Sequence, residues 1–287
     1  MDARHLGPMI DVRALLGPER SALVDLLVSL SPDQWAAPTA CPAWSVHEVA
    51  VHLVHDDLRR LSAQRDGHPG PRIQASDLDG LVAGLDDINA RWVGQVAPSV
   101  SPRLVLELLR WLAAPTEAYL AGLTPEATGD RVAWAGPGPH PNWLDVAREF
   151  TERWVHQQQI RAAVGCPGLT AARFLEPVVD TFVRALPAAL PARPEGTEVE
   201  LRVTGEVRRT WSLRSTGGSP WHLVATGGRE PAAVVELPAD VVWRRAVRMV
   251  DHDEVRLDAE VEGDPDLAAA ILDLRGAIVP DGVGGSG

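Results

Sequence analysis

The apolar residues of this chain change their spacing once, and that change limits what it can fold into. Through roughly the first two-thirds they recur at helical intervals. Residues 10–30 place Ile10, Val12, Leu15, Leu16, Leu23, Leu26, Leu27 and Leu30 at mostly helical spacing. The loop SPDQWAAPTACPAW follows. Ser45 then predicts a helix N-cap, with Glu48 three residues on completing a capping box. That helix carries Val46, Val49, Ala50, Leu53, Leu58 and Leu61 inward. Further helices are predicted over about 76–97, about 102–122, and from Asn142 to about Val164. The intervening TPEATGDRVAWAGPGPHPN is too rich in Gly and Pro to be helical. Several amphipathic helices joined by loops imply a bundle.

After Pro194 the period drops to two. TEVELRVTG alternates, and RTWSLRS, WHLVAT and AAVVEL are short strands between Gly-rich turns. A helix at about 238–249 follows. EVRLDAEVEG then reads as a strand, and Asp264 as the N-cap of a last helix with Pro265 at its first position. A helix near 170–190 and the Pro-rich PAALPARPEG mark the boundary. The expected fold is therefore two-domain: a helical bundle over 1–168, a small α+β domain over 169–281, and a flexible tail at 282–287.

Charge narrows the function. A formal net charge of −12 argues against a nucleic-acid binder, which needs a basic face to neutralise phosphate. It also disfavours a polybasic membrane-surface protein. No apolar run is long enough to span a bilayer, and the opening MDARHLGPMIDVR lacks the pattern of a secretory signal. A cytoplasmic protein is expected. In that reducing compartment Cys41 and Cys166 should be free, and two cysteines cannot make a thiolate zinc site. All 27 basic residues are arginine, which points to a GC-rich coding sequence.

Nine histidines are scattered along the chain. His47–Glu48 suggests an HExxH zinc helix, but the next histidine, His52, comes five residues on, which sets the two rings some ~140° apart around a helix. Glu152 and His156 are better placed, at i and i+4 on one helix face. A carboxylate and an imidazole at that spacing can hold one divalent ion if a third ligand arrives from another helix, and His52 is the candidate. Such a set leaves a coordination position open, the layout of a catalytic zinc site. By spacing alone, Asp145, Glu149, Glu152, His156 and Gln159 read first as a solvated polar stripe. His55 and Asp56 read either as supports for His52 or as solvated residues.

The local sequences go further. SPDQWAAPTACPAWSVHEVAVHL resembles the start of the mycothiol-dependent maleylpyruvate isomerase family, where a Pro–Thr–x–Cys–Pro–Gly–Trp loop leads into a helix whose histidine is a metal ligand. The position that matches is His52. WAGPGPHPNWLDVAREFTERWVHQQQIRAAVG is similar to the later family helix whose Glu–x–x–x–His gives two more ligands, here Glu152 and His156. WRRAVRM and VEGDPDLAAAILD resemble the family's sterol-carrier-like C-terminal domain. Trp44 and Trp134 sit in family-like loops; most of the other tryptophans are expected in the core.

The resemblance implies a DinB-like bundle holding a divalent metal, with zinc expected, and mycothiol as the low-molecular-weight thiol. It implies a small acidic or unsaturated substrate. In the family reaction the thiolate adds to a cis double bond, the new single bond rotates, and elimination gives the trans isomer. Addition without elimination would make an S-transferase. Arg248, with Arg244 and Arg245 nearby, falls where the family places a functional arginine. There are three departures from the pattern: Ala43 stands for Gly, His47–Glu48 for Arg–Asp, and Gln159 for an Asp that often stands three residues after the second histidine. The last suggests a substrate other than maleylpyruvate. Cys41 lies just before a helix N-terminus, which could lower its pKa, but the sequence places no histidine beside it. A metal-dependent hydrolase and a non-catalytic binding or sensor protein are the alternatives on the same bundle.

Overall fold

The chain is described by a computed structural model over residues 3–41, 44–70, 78–225 and 227–276. The expected tail at 282–287, the departure at Ala43 and the first two residues of the helix expected from 76 lie outside the described residues. The chain forms two compact units: Val12–Leu123 with Glu152–Leu169, and Met1–Asp11 with Thr124–Thr151 and Thr170–Gly287. The units thus interleave along the chain, where the sequence suggested a single cut near 168.

The first unit is helical. It contains α1 (Arg13–Ser29), α2 (Pro32–Trp35), α3 (Val46–Arg59), α4 (Leu78–Val96), α5 (Pro102–Gly122) and the second half of α6 (Asn142–Ala163). Its helix starts are written locally. Ser45 accepts from the Glu48 backbone while the Glu48 carboxylate takes the Ser45 N–H at 2.8 Å, satisfying two otherwise orphaned donors. Ser31 and Gln34 repeat the box at α2, and Ser101 caps α5. A core of Leu23, Leu27, Val49, Leu53, Leu109, Leu112 and Ile160 lies between these helices. Beyond Arg59, α3 runs on through a π-helical turn, Arg60–Arg65.

The second unit is built on a five-stranded mixed sheet: β1 (Glu198–Thr204), β2 (Arg209–Arg214), β3 (His222–Val224), β4 (Ala233–Pro238) and β5 (Glu260–Gly263), in the order β3-β2-β1-β4-β5. β1 pairs parallel with β4; the other neighbours are antiparallel. Along β1, Val199, Leu201 and Val203 are buried while Arg202 is exposed, the period-two pattern that marked this strand. Its helices are α7 (Ala172–Val183), α8 (Leu186–Ala189), α9 (Ala239–Ala246), α10 (His252–Asp258) and α11 (Pro265–Leu272). The N-terminal segment joins this unit through the Arg184 guanidinium, which donates to Pro8 O at 3.0 Å, and the Trp134 indole N–H donates to Gly276 O.

One strand assignment is corrected. EVRLDAEVEG is not a single strand, because its first half completes α10. Asp251 and Glu254 form a capping box there, and Val255 is fully buried, so one helical turn satisfies both the backbone and the apolar residue. Only Glu260–Gly263 pairs with β4. Among the described residues no helix is long and apolar enough to cross a membrane.

Candidate functional site

Within the helical unit, α3 and α6 are tied together by buried charge. Asp57 on α3 accepts from Arg153 on α6 at 2.8 Å and pairs with Arg20 on α1 at 2.8 Å. Asp57 is fully buried. Gln157 donates to Glu19 at 2.8 Å, and Arg20 also donates to Leu109 O at 3.1 Å. Buried side chains in such a network hold one geometry, because each unpaired alternative is costly. The clamp sits next to the candidate ligands: Arg153 follows Glu152, and Asp57 lies five residues after His52.

The clamped helices bring His52, Glu152 and His156 together, with one potential ligand atom from each inside 4.8 Å of the others. His52 is 2% exposed. The two imidazoles meet edge to face, their centroids 4.8 Å apart. Trp44 covers His52 at 5.0 Å. The loop carrying it is organised by Thr39, whose hydroxyl donates to Trp44 O at 2.8 Å and accepts from the Cys41 N–H at 3.1 Å. His156 Nδ1 lies 2.8 Å from Gln159 Oε1. An amide oxygen only accepts, so Nδ1 carries the hydrogen and Nε2 the lone pair.

The electrostatics suit a cation. Burial, reinforced by His52, lowers His156 to about 4, so it is neutral at physiological pH with a lone pair to offer. Two imidazoles and a carboxylate are a donor set that fits a divalent transition metal, and three such ligands leave a position open.

A family model described as the mycothiol maleylpyruvate isomerase N-terminal domain matches residues 16–161, half of the chain. The chain belongs to this family. The match covers α3, α4, α5 and most of α6, hence all three residues of the donor group. Two uncharacterized proteins of Mycobacterium tuberculosis, from two strains, are each 28% identical over 262 residues, covering 88% of this chain and 92% of theirs. The crystal structure of a mycothiol-dependent maleylpyruvate isomerase matches with a TM-score of 0.53 at 11% identity, over 86% of this chain and 92% of that one. A histidine-to-alanine mutant of that enzyme matches equally. At that identity the likeness shows the fold, a helical bundle followed by a small mixed-sheet domain.

Against this family frame, the residues singled out from the sequence divide. The polar stripe on α6 is not a surface stripe: Asp145, Glu149 and Gln159 are buried, and Glu152 and His156 are partly buried. His55 and Asp56 also turn inward. His55 stacks flat on Trp92 at 4.4 Å, and Asp56 Oδ2 lies 3.2 Å from His52 Nε2. Gln159, in place of the frequent family Asp, contacts His156 through a neutral amide. Cys41 is a poor nucleophile, since burial and then the nearby Asp86 push its thiol up to about 11. Cys41 and Cys166 are both free thiols.

Arg248 is not part of the donor group; it belongs to the second unit, just after α9. Among the described residues it is the one non-glycine in the left-handed region, with φ 56. Its neighbours are structurally engaged: Arg244 pairs with Asp240 at 3.1 Å, and Arg245 donates to Leu272 O at 3.0 Å and to Asp273.

Sequence reasoning missed Asp86 on α4. Burial and then Glu152 raise its carboxyl to about 6, which places it in the field of the donor group. It carries no motif; only its position on a helix facing α3 could have signalled it.

Proposed function

We propose that this chain is a metal-dependent enzyme that uses mycothiol, either to isomerise a small unsaturated acid or to transfer the thiol onto it. The observation that carries this reading is the His52–Glu152–His156 group, three convergent donors on clamped helices in a family named for mycothiol chemistry. These residues would hold the ion, zinc by preference for two nitrogens and a carboxylate. A divalent ion there would supply the positive charge that makes a thiol deprotonate near neutral pH.

The remaining roles fall to the protein. Trp44 shields His52 from water. Asp86, lifted to about 6, is placed to exchange a proton with a group near Glu152. Cys41 stays a thiol at neutral pH, which fits a nucleophile supplied from outside the chain. The family resemblance gives Arg248 the role of meeting an acidic substrate, and its positive φ is a strained conformation that costs about 1–3 kcal/mol. A cytoplasmic, reducing setting belongs to the same reading, because the thiol must be reduced to react.

Cobalt substitution tests it. Cobalt-loaded protein should develop a thiolate-to-metal charge-transfer absorption when mycothiol is added, and His156→Ala should not. Turnover of a cis-unsaturated diacid should require mycothiol. If cobalt protein shows no spectral change with mycothiol, yet cleaves an ester or amide without thiol, the metal–water hydrolase replaces this reading.

A further inference from the structure

His52 and Asp56 stand at i and i+4 on α3, where side chains lie one above the other. His52 Nε2 is 3.2 Å from Asp56 Oδ2, and the two side chains are 2% and 11% exposed. An ionised carboxylate only accepts hydrogen bonds, so the ring nitrogen facing it carries the hydrogen. We propose that Asp56 is a positioning residue that holds His52 as its Nε2–H tautomer and leaves Nδ1 to face the ion. The second half of this statement rests on the metal reading above; the first does not.

The other histidine is held by the same device in mirror image. Gln159, on the helix of His156, accepts from Nδ1 at 2.8 Å and leaves Nε2. The two imidazoles would therefore present opposite nitrogens to one ion. Their supports also differ in charge. A carboxylate behind an imidazole raises its basicity more than an amide does, so His52 is the stronger donor and His156 the weaker. That difference is peculiar to a chain with glutamine at 159.

A different use of the same contact is conceivable on distance alone, since the ligand atoms of His52, His55 and Asp56 also lie within 4.8 Å of one another. In that arrangement Asp56 and His52 Nε2 would bind the ion side by side. The positioning role is favoured because Glu152 and His156 bring donors from a second helix to His52, whereas His52, His55 and Asp56 all stand on α3.

The test is nitrogen NMR on protein labelled with 15N-histidine, together with zinc titration against a chromophoric chelator. In the metal-free protein His52 should appear as the Nε2–H tautomer. Asp56→Ala should lose that fixed tautomer, and Asp56→Asn, whose amide oxygen still accepts, should keep it. With zinc, the ligated nitrogens should be Nδ1 of His52 and Nε2 of His156. Zinc affinity should fall about 10- to 100-fold in Asp56→Ala and less in Asp56→Asn. An Nδ1–H tautomer in the metal-free protein, zinc on Nε2 of His52, or unchanged zinc affinity in Asp56→Ala would overturn the proposal. A parent protein that shows the Nε2–H tautomer but takes up no zinc would support the Asp56 contact and overturn the metal reading instead.

Discussion

Two buried polar clusters span α3 and α6, and they are built on opposite rules. In the first, Asp57 is matched by Arg20 and Arg153, each at 2.8 Å, and anion meets cation inside the protein. Even Glu19, which burial pushes upward, is drawn back by Arg20 and Arg153 and takes a hydrogen bond from Gln157. In the second, His52, Glu152 and His156 all offer lone pairs to the same space. The first cluster closes on itself and acts as a clamp. The second, on the function proposed above, would be completed by a cation. One helix pair thus carries both the part that fixes geometry and the part that uses it.

The largest effect should come from breaking the clamp. Asp57→Asn removes the charge that two buried guanidiniums share, and breaking a buried pair in this way costs about 3–5 kcal/mol. Chemical denaturation of the metal-free protein should show that loss. His156→Ala, measured the same way, should cost far less, because its partner Gln159 is a neutral amide. Equal losses in the two variants would mean that the donor group is a second structural clamp, and the contrast would collapse.

Adding zinc should have the next largest effect. Zinc at about 100 times its dissociation constant should stabilise the parent by about 2.7 kcal/mol and leave His156→Ala unchanged. The gain should depend on pH in a stated direction. His156 is depressed to about 4 by burial and by His52, so the unfolded chain takes up that proton first, near the ordinary 6.5. The His156 contribution to metal-free stability should therefore be constant above 6.5 and fall as pH drops from 6.5 toward about 4; His55, lowered to about 4, adds to that loss, and Asp86, raised to about 6, opposes it. Protons displace zinc over the same lower range, so the zinc-dependent gain should vanish there as well. Thermal melts from pH 8 to 4, with and without zinc, would show it. A gain that persists at pH 4 would remove His156 from the set.

These clusters also show what a sequence can and cannot reveal. The local rules were legible. Ser45 with Glu48, Asp264 with Pro265, and the spacing over 102–122 each announced an element that the structure contains. Glu152 and His156 at i and i+4 were legible as a pair, and the resemblance of SVHEVAVHL supplied His52. The clamp was not legible, because Asp57 and Arg153 are 96 residues apart and a lone charge on a helix usually means a solvated face. For the same reason the polar stripe of α6 could not be told from a surface stripe. The strand read through EVRLDAEVEG failed on a local rule, since the Asp251–Glu254 box was present but the alternation was given priority.

The smallest effect, and the sharpest probe of the contrast, is Gln159→Glu. The side chain keeps its length, so an oxygen stays beside His156 Nδ1, now 2.8 Å away, while the acceptor gains a charge. In the clamp an added anion would find arginines. In the donor group it finds Glu152, together with Asp86, which burial and Glu152 already hold up at about 6. The metal-free protein should therefore melt about 2–4 °C lower, equivalent to about 1 kcal/mol. With zinc present the sign should reverse, because a carboxylate behind the imidazole strengthens it as a ligand, and zinc affinity should rise by up to about tenfold, or roughly 1.4 kcal/mol. Chelator competition and paired melts would measure both. A variant that melts higher without metal, or that binds zinc no better, would show that this cluster holds a cationic partner of its own, and the two clusters would then follow one rule.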